Sequence, residues 1–267
     1  MNAYLFRRVI GFGSLLGLLL VFAPVGLADR DDRPGDEPSI TGGLRAYTPP
    51  SNARRPEGDH TGGSVRGCGD DVVAIAPRLS AVGQTASTNT TFVWYNFSED
   101  NDPIEFQLYR YEPEGGLSQV LVKQFDESQE GYMAYTLPAE EAELSMGETY
   151  VWQVVLYCDA DFEDPGNYSS AELEVVDLPE EATDLPSDAL ARAKIYADAG
   201  LWYDALAEVY SSSMPDAEAF RQDLLLVLAD LEEESGEDGA EDISKQLEEI
   251  SGVGDGQAEQ SDETLAE

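Results

Sequence analysis

Apolar and polar side chains alternate with period two through the middle of this 267-residue chain and recur at helical spacing beyond it. Segments 72–76, 91–97, 104–110, 120–125, 132–137, 149–158 and 171–176 carry the pattern of strands that bury one face. Within 104–110, Ile104, Phe106 and Leu108 face one way, and Glu105, Gln107 and Tyr109 the other. Turn residues such as Glu114, Gly115 and Gly116 separate the runs, and Pro77 ends the first. Six or seven short strands over 67–179 predict an antiparallel β-sandwich of the fibronectin/immunoglobulin kind, and about 110 residues suffice for one such core.

From 180 to 234 the period becomes helical. Ser187 or Asp184 can cap a helix that runs through Ala199, and Gly200 is placed to end it in the left-handed conformation. A second helix over 202–212 breaks at Met214 and Pro215. A third starts at Asp216 with Phe220, Leu224, Val227, Leu228 and Leu231 on one face. The expected fold class is therefore α+β: the sandwich followed by a short α-helical hairpin region docked at its end. Trp202 and Tyr203 are adjacent on a helix, so one of them at most is expected to point fully inward. Trp94, Trp152 and Tyr150 read as core.

The two ends of the chain have different compositions. Arg7 and Arg8 precede an uncharged stretch, 9–28, whose apolar run closes with Pro24, Gly26 and Ala28, the features of a cleaved export signal over 1–28. An uncleaved anchor is the rival reading of those residues. Residues 29–66 are rich in Gly, Pro, Asp and Arg without apolar periodicity and are expected to form a disordered leader. Residues 235–267 are dominated by Glu, Asp, Gly and Ser and are expected to form a disordered acidic tail, with Ile243, Leu247 and Ile250 enough for a weak amphipathic turn or two. The expected location is periplasmic or secreted.

Export changes the meaning of the only two cysteines, Cys68 and Cys158. Outside the cytoplasm they can form a lasting disulfide. Tyr150, Trp152, Val154, Leu156 and Cys158 share one strand face, so Cys158 is expected at or beside the core. Closing a loop of about 90 residues contributes roughly 4–5 kcal/mol in chain-entropy terms. A redox or metal-binding pair is the alternative, but there is no CxxC spacing and no nearby histidine.

Charge narrows the partners. The chain has 54 acidic and 15 basic residues, for a net charge of −39, and Lys123, Lys194 and Lys245 are its only lysines. Such a surface repels phosphate backbones and anionic lipids, so neither nucleic acid nor direct membrane binding after signal removal is expected. It suits a basic protein, a cationic ligand, or simple adaptation to high salt.

No catalytic constellation emerges. His60 is the single histidine and falls in the leader, which leaves a triad or a histidine-based metal site without an ordered base or ligand. Acidic loops at 99–102 and 159–164 are candidates for weak calcium binding, although Asp164 and Ser170 stand where an EF-hand needs Gly and Glu. Asn89, Asn96 and Asn167 begin glycosylation triplets.

Residues 193–205 resemble one tetratricopeptide unit, with Ala193, Tyr196, Gly200, Trp202 and Ala205 at that repeat's small, aromatic and glycine positions; no second copy follows. Taken in order, Arg66-Gly67-Cys68, Thr91 through Tyr95, Tyr132 through Pro138, Gly147 through Cys158 and Tyr196 through Leu206 resemble a cyanobacterial family known as domain of unknown function 928. The resemblance spans about 67–231 and implies an exported protein of β-rich plus helical make-up, with no reaction attached. The expected function is an exported, non-catalytic protein-interaction or scaffold module of the cell envelope, without cofactor and with an envelope protein as partner. A carbohydrate- or calcium-binding module is the alternative, and a carboxylate hydrolase comes last.

Overall fold

Among the described residues, eight strands precede the α-helices: β1 (Val72–Ala74), β2 (Gly83–Thr85), β3 (Thr91–Asn96), β4 (Ile104–Tyr111), β5 (Leu117–Phe125), β6 (Gly131–Thr136), β7 (Thr149–Tyr157) and β8 (Pro165–Val175). A 3-10 turn at Glu180–Ala182 leads to α1 (Ala189–Asp198), α2 (Trp202–Val209), α3 (Pro215–Ser235) and α4 (Ala240–Ser251). The computed structural model describes residues 46–50 and 72–252, all within the unit Leu44–Glu267. The expected signal 1–28, most of the expected leader 29–66, Cys68 and residues 253–267 lie outside the described residues.

The strands form a three-stranded sheet, β1-β3-β6, and a five-stranded sheet, β2-β8-β7-β4-β5. Alternation decides which side chains meet between them. Phe92 and Trp94 of β3 point toward Phe106 of β4 and Trp152 of β7, with ring centroids of Phe92 4.9 Å from Phe106 and 5.3 Å from Trp152. All four rings are fully buried, and aromatic pairs at such distances add to the burial of their area.

The expected pairing was wholly antiparallel, and one strand departs from it. β2 runs parallel to β8, with Gln84 opposite Glu174. Its Gly-Gln-Thr sequence is too short to show any alternation. Gly83 stands there because the ring of Tyr203 takes the space of a side chain: an added Cβ would lie 2.7 Å from Tyr203 Cε2.

Trp202 and Tyr203 are both buried, against the expectation that only one would be. The Trp202 indole donates to the Ile75 carbonyl at 2.9 Å, on the chain leaving β1. The Tyr203 hydroxyl accepts from the Trp152 indole at 2.7 Å and donates to the Glu172 carbonyl at 2.8 Å, both on the five-stranded sheet. The remaining side of Trp202 is closed by Tyr47, edge-on at 5.0 Å. Tyr47 belongs to the stretch expected to be a disordered leader, yet it is fully buried, and Thr48 N–H donates to the Ala197 carbonyl at 3.2 Å. One aromatic ring inside a polar stretch is enough to anchor residues 46–50.

The helix limits have local causes. Asp188, rather than Ser187 or Asp184, caps α1 by accepting from Ala191 N–H at 2.8 Å. Gly200 (φ +80°) turns the chain out of α1 as expected. Arg221 of α3 donates to the carbonyls of Val209, Tyr210 and Ser212 at 2.9–3.2 Å, capping the end of α2, while its guanidinium lies 4.7 Å from the Tyr132 ring of β6. Glu232, fully buried on α3, accepts from the N–H groups of Arg78, Leu79 and Ser80 and from the Ser80 hydroxyl at 2.7–3.2 Å. The expected acidic tail contains α4, whose Ile243 and Leu247 are buried in the common core. Repeated Glu and Asp masked a helix that needs only one apolar stripe. Among the described residues no helix is long and apolar enough to cross a membrane.

Candidate binding site

Among the described residues, those singled out by sequence do not converge. Cys158 directly follows β7 and its N–H donates to the Asp164 carbonyl at 2.9 Å; Cys68 and His60 lie outside the described residues. In the 159–164 loop the Asp159 carboxylate accepts from Glu163 and Asp164 N–H at 3.0 and 2.9 Å, so it holds the turn itself. Among the described residues no group of three or more His, Cys, Asp or Glu side chains is gathered for a metal ion. Asn96 is fully buried, its amide donating to Ser98, Ser128 and Gln129, and is closed to glycosylation in the folded chain.

Two polar surfaces of the described residues differ in how they use their charge. The first is the outer face of the five-stranded sheet. Alternation turns Glu105, Gln107 and Tyr109 of β4 outward, beside Gln153 and Tyr157 of β7 and Gln124 of β5. These groups bond mainly to one another. Glu105 accepts from Gln107, from Gln124 at 2.8 Å and from Tyr157 at 3.4 Å. Gln107 accepts from Tyr109 at 2.7 Å and from Gln153. At one end Phe162 (φ +57°), in the left-handed region that bulky residues avoid, sets its ring edge-on to Tyr157 at 5.2 Å. The free edge of this sheet is guarded: Lys123 of β5 stands opposite Phe106, on the core-facing row, and pairs with Glu141 at 3.4 Å. An inward-facing charge on an edge strand opposes the addition of another strand.

The second is a groove of about 420 Å³ between α1 and α3. Leu190, Lys194 and Asp198 recur every four residues along α1. Asp216, Ala219, Phe220 and Asp223 follow the i, i+3, i+4, i+7 stripe of α3, and Ala46 stands at the margin. Phe220 is the buried floor, whereas Lys194 and the three aspartates are exposed. Lys194 Nζ lies 5.6 Å from the centre of the Phe220 ring. Among the described residues, the three aspartates form no ion pair. Sequence reasoning missed this site, although the four-residue spacing on α1 and the Asp-Ala-Phe-Asp stripe on α3 were both readable. What could not be read was that the stripes face each other.

One buried acid lies elsewhere. Asp204, on the first turn of α2, accepts from Ala86 N–H at 2.9 Å, and burial pushes its carboxyl up to about 6 against the hydrogen bonds from Ala86 and Thr85. It holds α2 to the turn after β2.

These features belong to a two-sheet α+β protein with an open acidic groove between two helices. Residues 52–235 match the model of the family described as Domain of Unknown Function (DUF928), and the chain belongs to that family. No curated protein matches it. Among solved structures, a Bacteroides uniformis β-glucuronidase 2 covalently bound to cyclophellitol-6-carboxylate aziridine is similar at 15% identity and a TM-score of 0.20, over 39% of this chain and 12% of that one. A second Bacteroides uniformis β-glucuronidase structure gives 17% identity and a TM-score of 0.21 over 39% and 12%. The chain thus spans about an eighth of those enzymes' length, and likeness at that level carries no argument about activity.

Proposed function

We propose that this chain is an exported, non-catalytic protein-interaction module of the cell envelope, working through the groove between α1 and α3. The observation that supports the reading is the groove itself, in which an aromatic floor is ringed by exposed aspartates that form no ion pair among the described residues. The test is crosslinked capture from the source envelope fraction with the full chain and with Ala219→Trp, which fills the groove from an exposed position. One recurrent partner whose yield collapses in the variant supports the reading. Equal yield in both, or turnover of a substrate without any partner, contradicts it.

A finer fold assignment belongs with this proposal. The order β8-β7-β4-β5 corresponds to strands G-F-C-C′ of an immunoglobulin or fibronectin sandwich, and β1-β3-β6 to A-B-E. Tyr150, near the start of β7, accepts from Ser145 N–H at 2.9 Å, the contact of a tyrosine corner. Export and a Cys68–Cys158 bridge complete the picture. Cys158→Ser is then expected to lower stability by roughly 4 kcal/mol, read from denaturant midpoints with and without reductant. Equal midpoints for the two proteins under oxidising conditions contradict the bridge.

The second reading, a carbohydrate-binding module, is favoured by one observation: the tyrosine, glutamine and glutamate outer face of the five-stranded sheet ending at the strained Phe162. Retention on immobilised glycans that Tyr157→Ala abolishes would favour it over the groove.

A further inference from the structure

The groove between α1 and α3 has a chemistry narrower than protein interaction in general. We infer that its occupant is a segment of a partner protein in which arginine or lysine alternates with small aliphatic residues. This inference rests on the reading of the groove as an interaction site.

Three features of the groove select that chemistry. Its floor of Phe220, Ala219 and Leu190 is apolar and offers an aromatic face. Its rim carries Asp198, Asp216 and Asp223 on both walls, so a chain lying between the helices meets carboxylates on either side. Among the described residues its one base, Lys194, is directed to the Phe220 ring at 5.6 Å and not to any of the three aspartates. The floor therefore already seats a cation, and a guanidinium presents a planar, weakly hydrated group better suited to an aromatic face and to carboxylates than an ammonium does. An arriving arginine displaces Lys194 from the ring and pairs with the rim, while aliphatic neighbours cover Leu190 and Ala219. An acidic or phosphorylated segment meets three carboxylates and one lysine, and is repelled. A volume of about 420 Å³ holds a few side chains, not a folded surface, so the occupant is an extended segment.

The test uses fluorescence anisotropy of a labelled nonapeptide alternating arginine with leucine, titrated with the full chain. A peptide with glutamate in place of arginine is the comparator. Asp216→Asn combined with Asp223→Asn is expected to weaken binding about tenfold, the loss expected for two partly exposed charge pairs. Asp230→Asn combined with Glu233→Gln makes the same charge change on exposed positions of α3 outside the groove and is expected to leave binding within about twofold. Lys194→Gln is expected to tighten binding by freeing the Phe220 ring, whereas Lys245→Gln, with the same charge change on α4, is expected to leave it unaltered. Equal losses in the two double variants would reduce the effect to net charge and overturn the inference. So would equal binding of the glutamate peptide, or no binding by the unaltered protein. Self-association that the groove double variant abolishes would assign the groove to a second copy of this chain and also overturn it. If Ala219→Trp still cuts capture of an envelope partner while the arginine peptide fails to compete, the interaction reading stands and only the partner chemistry falls.

Discussion

The outer face of the five-stranded sheet and the groove between α1 and α3 are both polar, but they dispose of their charge in opposite ways. On the sheet, Glu105 is shared among Gln107, Gln124 and Tyr157, and Gln107 in turn accepts from Tyr109 and Gln153. A partner there must break bonds that the fold already makes. In the groove, Asp198, Asp216 and Asp223 surround an aromatic floor that, among the described residues, meets one cation, Lys194. The contrast teaches that in so acidic a chain the informative carboxylates are those the structure leaves unused. Glu232 marks the other extreme, being fully buried with four donors.

That contrast can be broken by substitution. The largest effect is expected at Glu232→Ala, which strands the N–H groups of residues 78–80 and should cost about 3 kcal/mol or more in denaturant unfolding. A cost near that of a surface substitution would mean that the clamp is not structural. Next comes Gly83→Ala, which drives a methyl group into the Tyr203 ring and should cost about 1–3 kcal/mol, with a blue-shifted or broadened tryptophan signal reporting the disturbed Trp152–Tyr203 pair. On the sheet face Glu105→Ala leaves the Gln107 and Gln124 amides without their acceptor and should cost about 1 kcal/mol while sparing peptide binding. In the groove, Asp216→Asn and Asp223→Asn should reverse that pattern, leaving the melting temperature unchanged and weakening binding. A sheet variant that loses binding, or a groove variant that unfolds the chain, would undo the comparison.

Asp204 supplies a pH signature. Its folded carboxyl titrates near 6, above the ordinary value of 3.8, so between those limits the folded chain holds a proton that the unfolded chain releases. Its contribution to stability is therefore full below the ordinary value and is lost as pH rises through about 6. Asp204→Asn keeps an oxygen for Ala86 N–H and should flatten that part of the stability profile; an unchanged profile contradicts the assignment. The smallest effect concerns solvent. If salt adaptation explains the net charge of −39, molar sodium chloride should raise the melting temperature, and a flat or falling curve excludes that explanation.

Much of the sheet architecture was legible because alternation is a local property. Seven of the eight strands were visible in the period-two pattern, and Trp94, Phe106 and Trp152 are buried on the faces read as core. β2 was not visible, because Gly-Gln-Thr is a strand only through its ladder with β8 and owes its glycine to Tyr203 in a distant helix. Tyr47 was hidden by composition, a single aromatic among Gly, Pro and Arg, and α4 was legible only as a weak amphipathic turn or two at Ile243, Leu247 and Ile250 because its apolar stripe is sparse among Glu and Asp. Trp202 and Tyr203 could not both be assigned inward without knowing that Tyr47 covers one of them. The groove was illegible for a related reason. Its residues come from two helices whose facing is set by the Arg221 cap on α2 and the Glu232 clamp, contacts that no spacing rule encodes.

The most direct test of the central claim is site-specific photocrosslinking in the source cell envelope, with the reactive side chain placed at Gln222, exposed on α3 one turn from Ala219 and outside the groove lining, or at Gln153 on the sheet face. The account predicts that one protein crosslinks from Gln222 and that its yield falls when Asp216 and Asp223 are neutralised, with nothing comparable from Gln153. Crosslinks from Gln153 alone, or from Gln222 and Gln153 alike without regard to the aspartates, would contradict it.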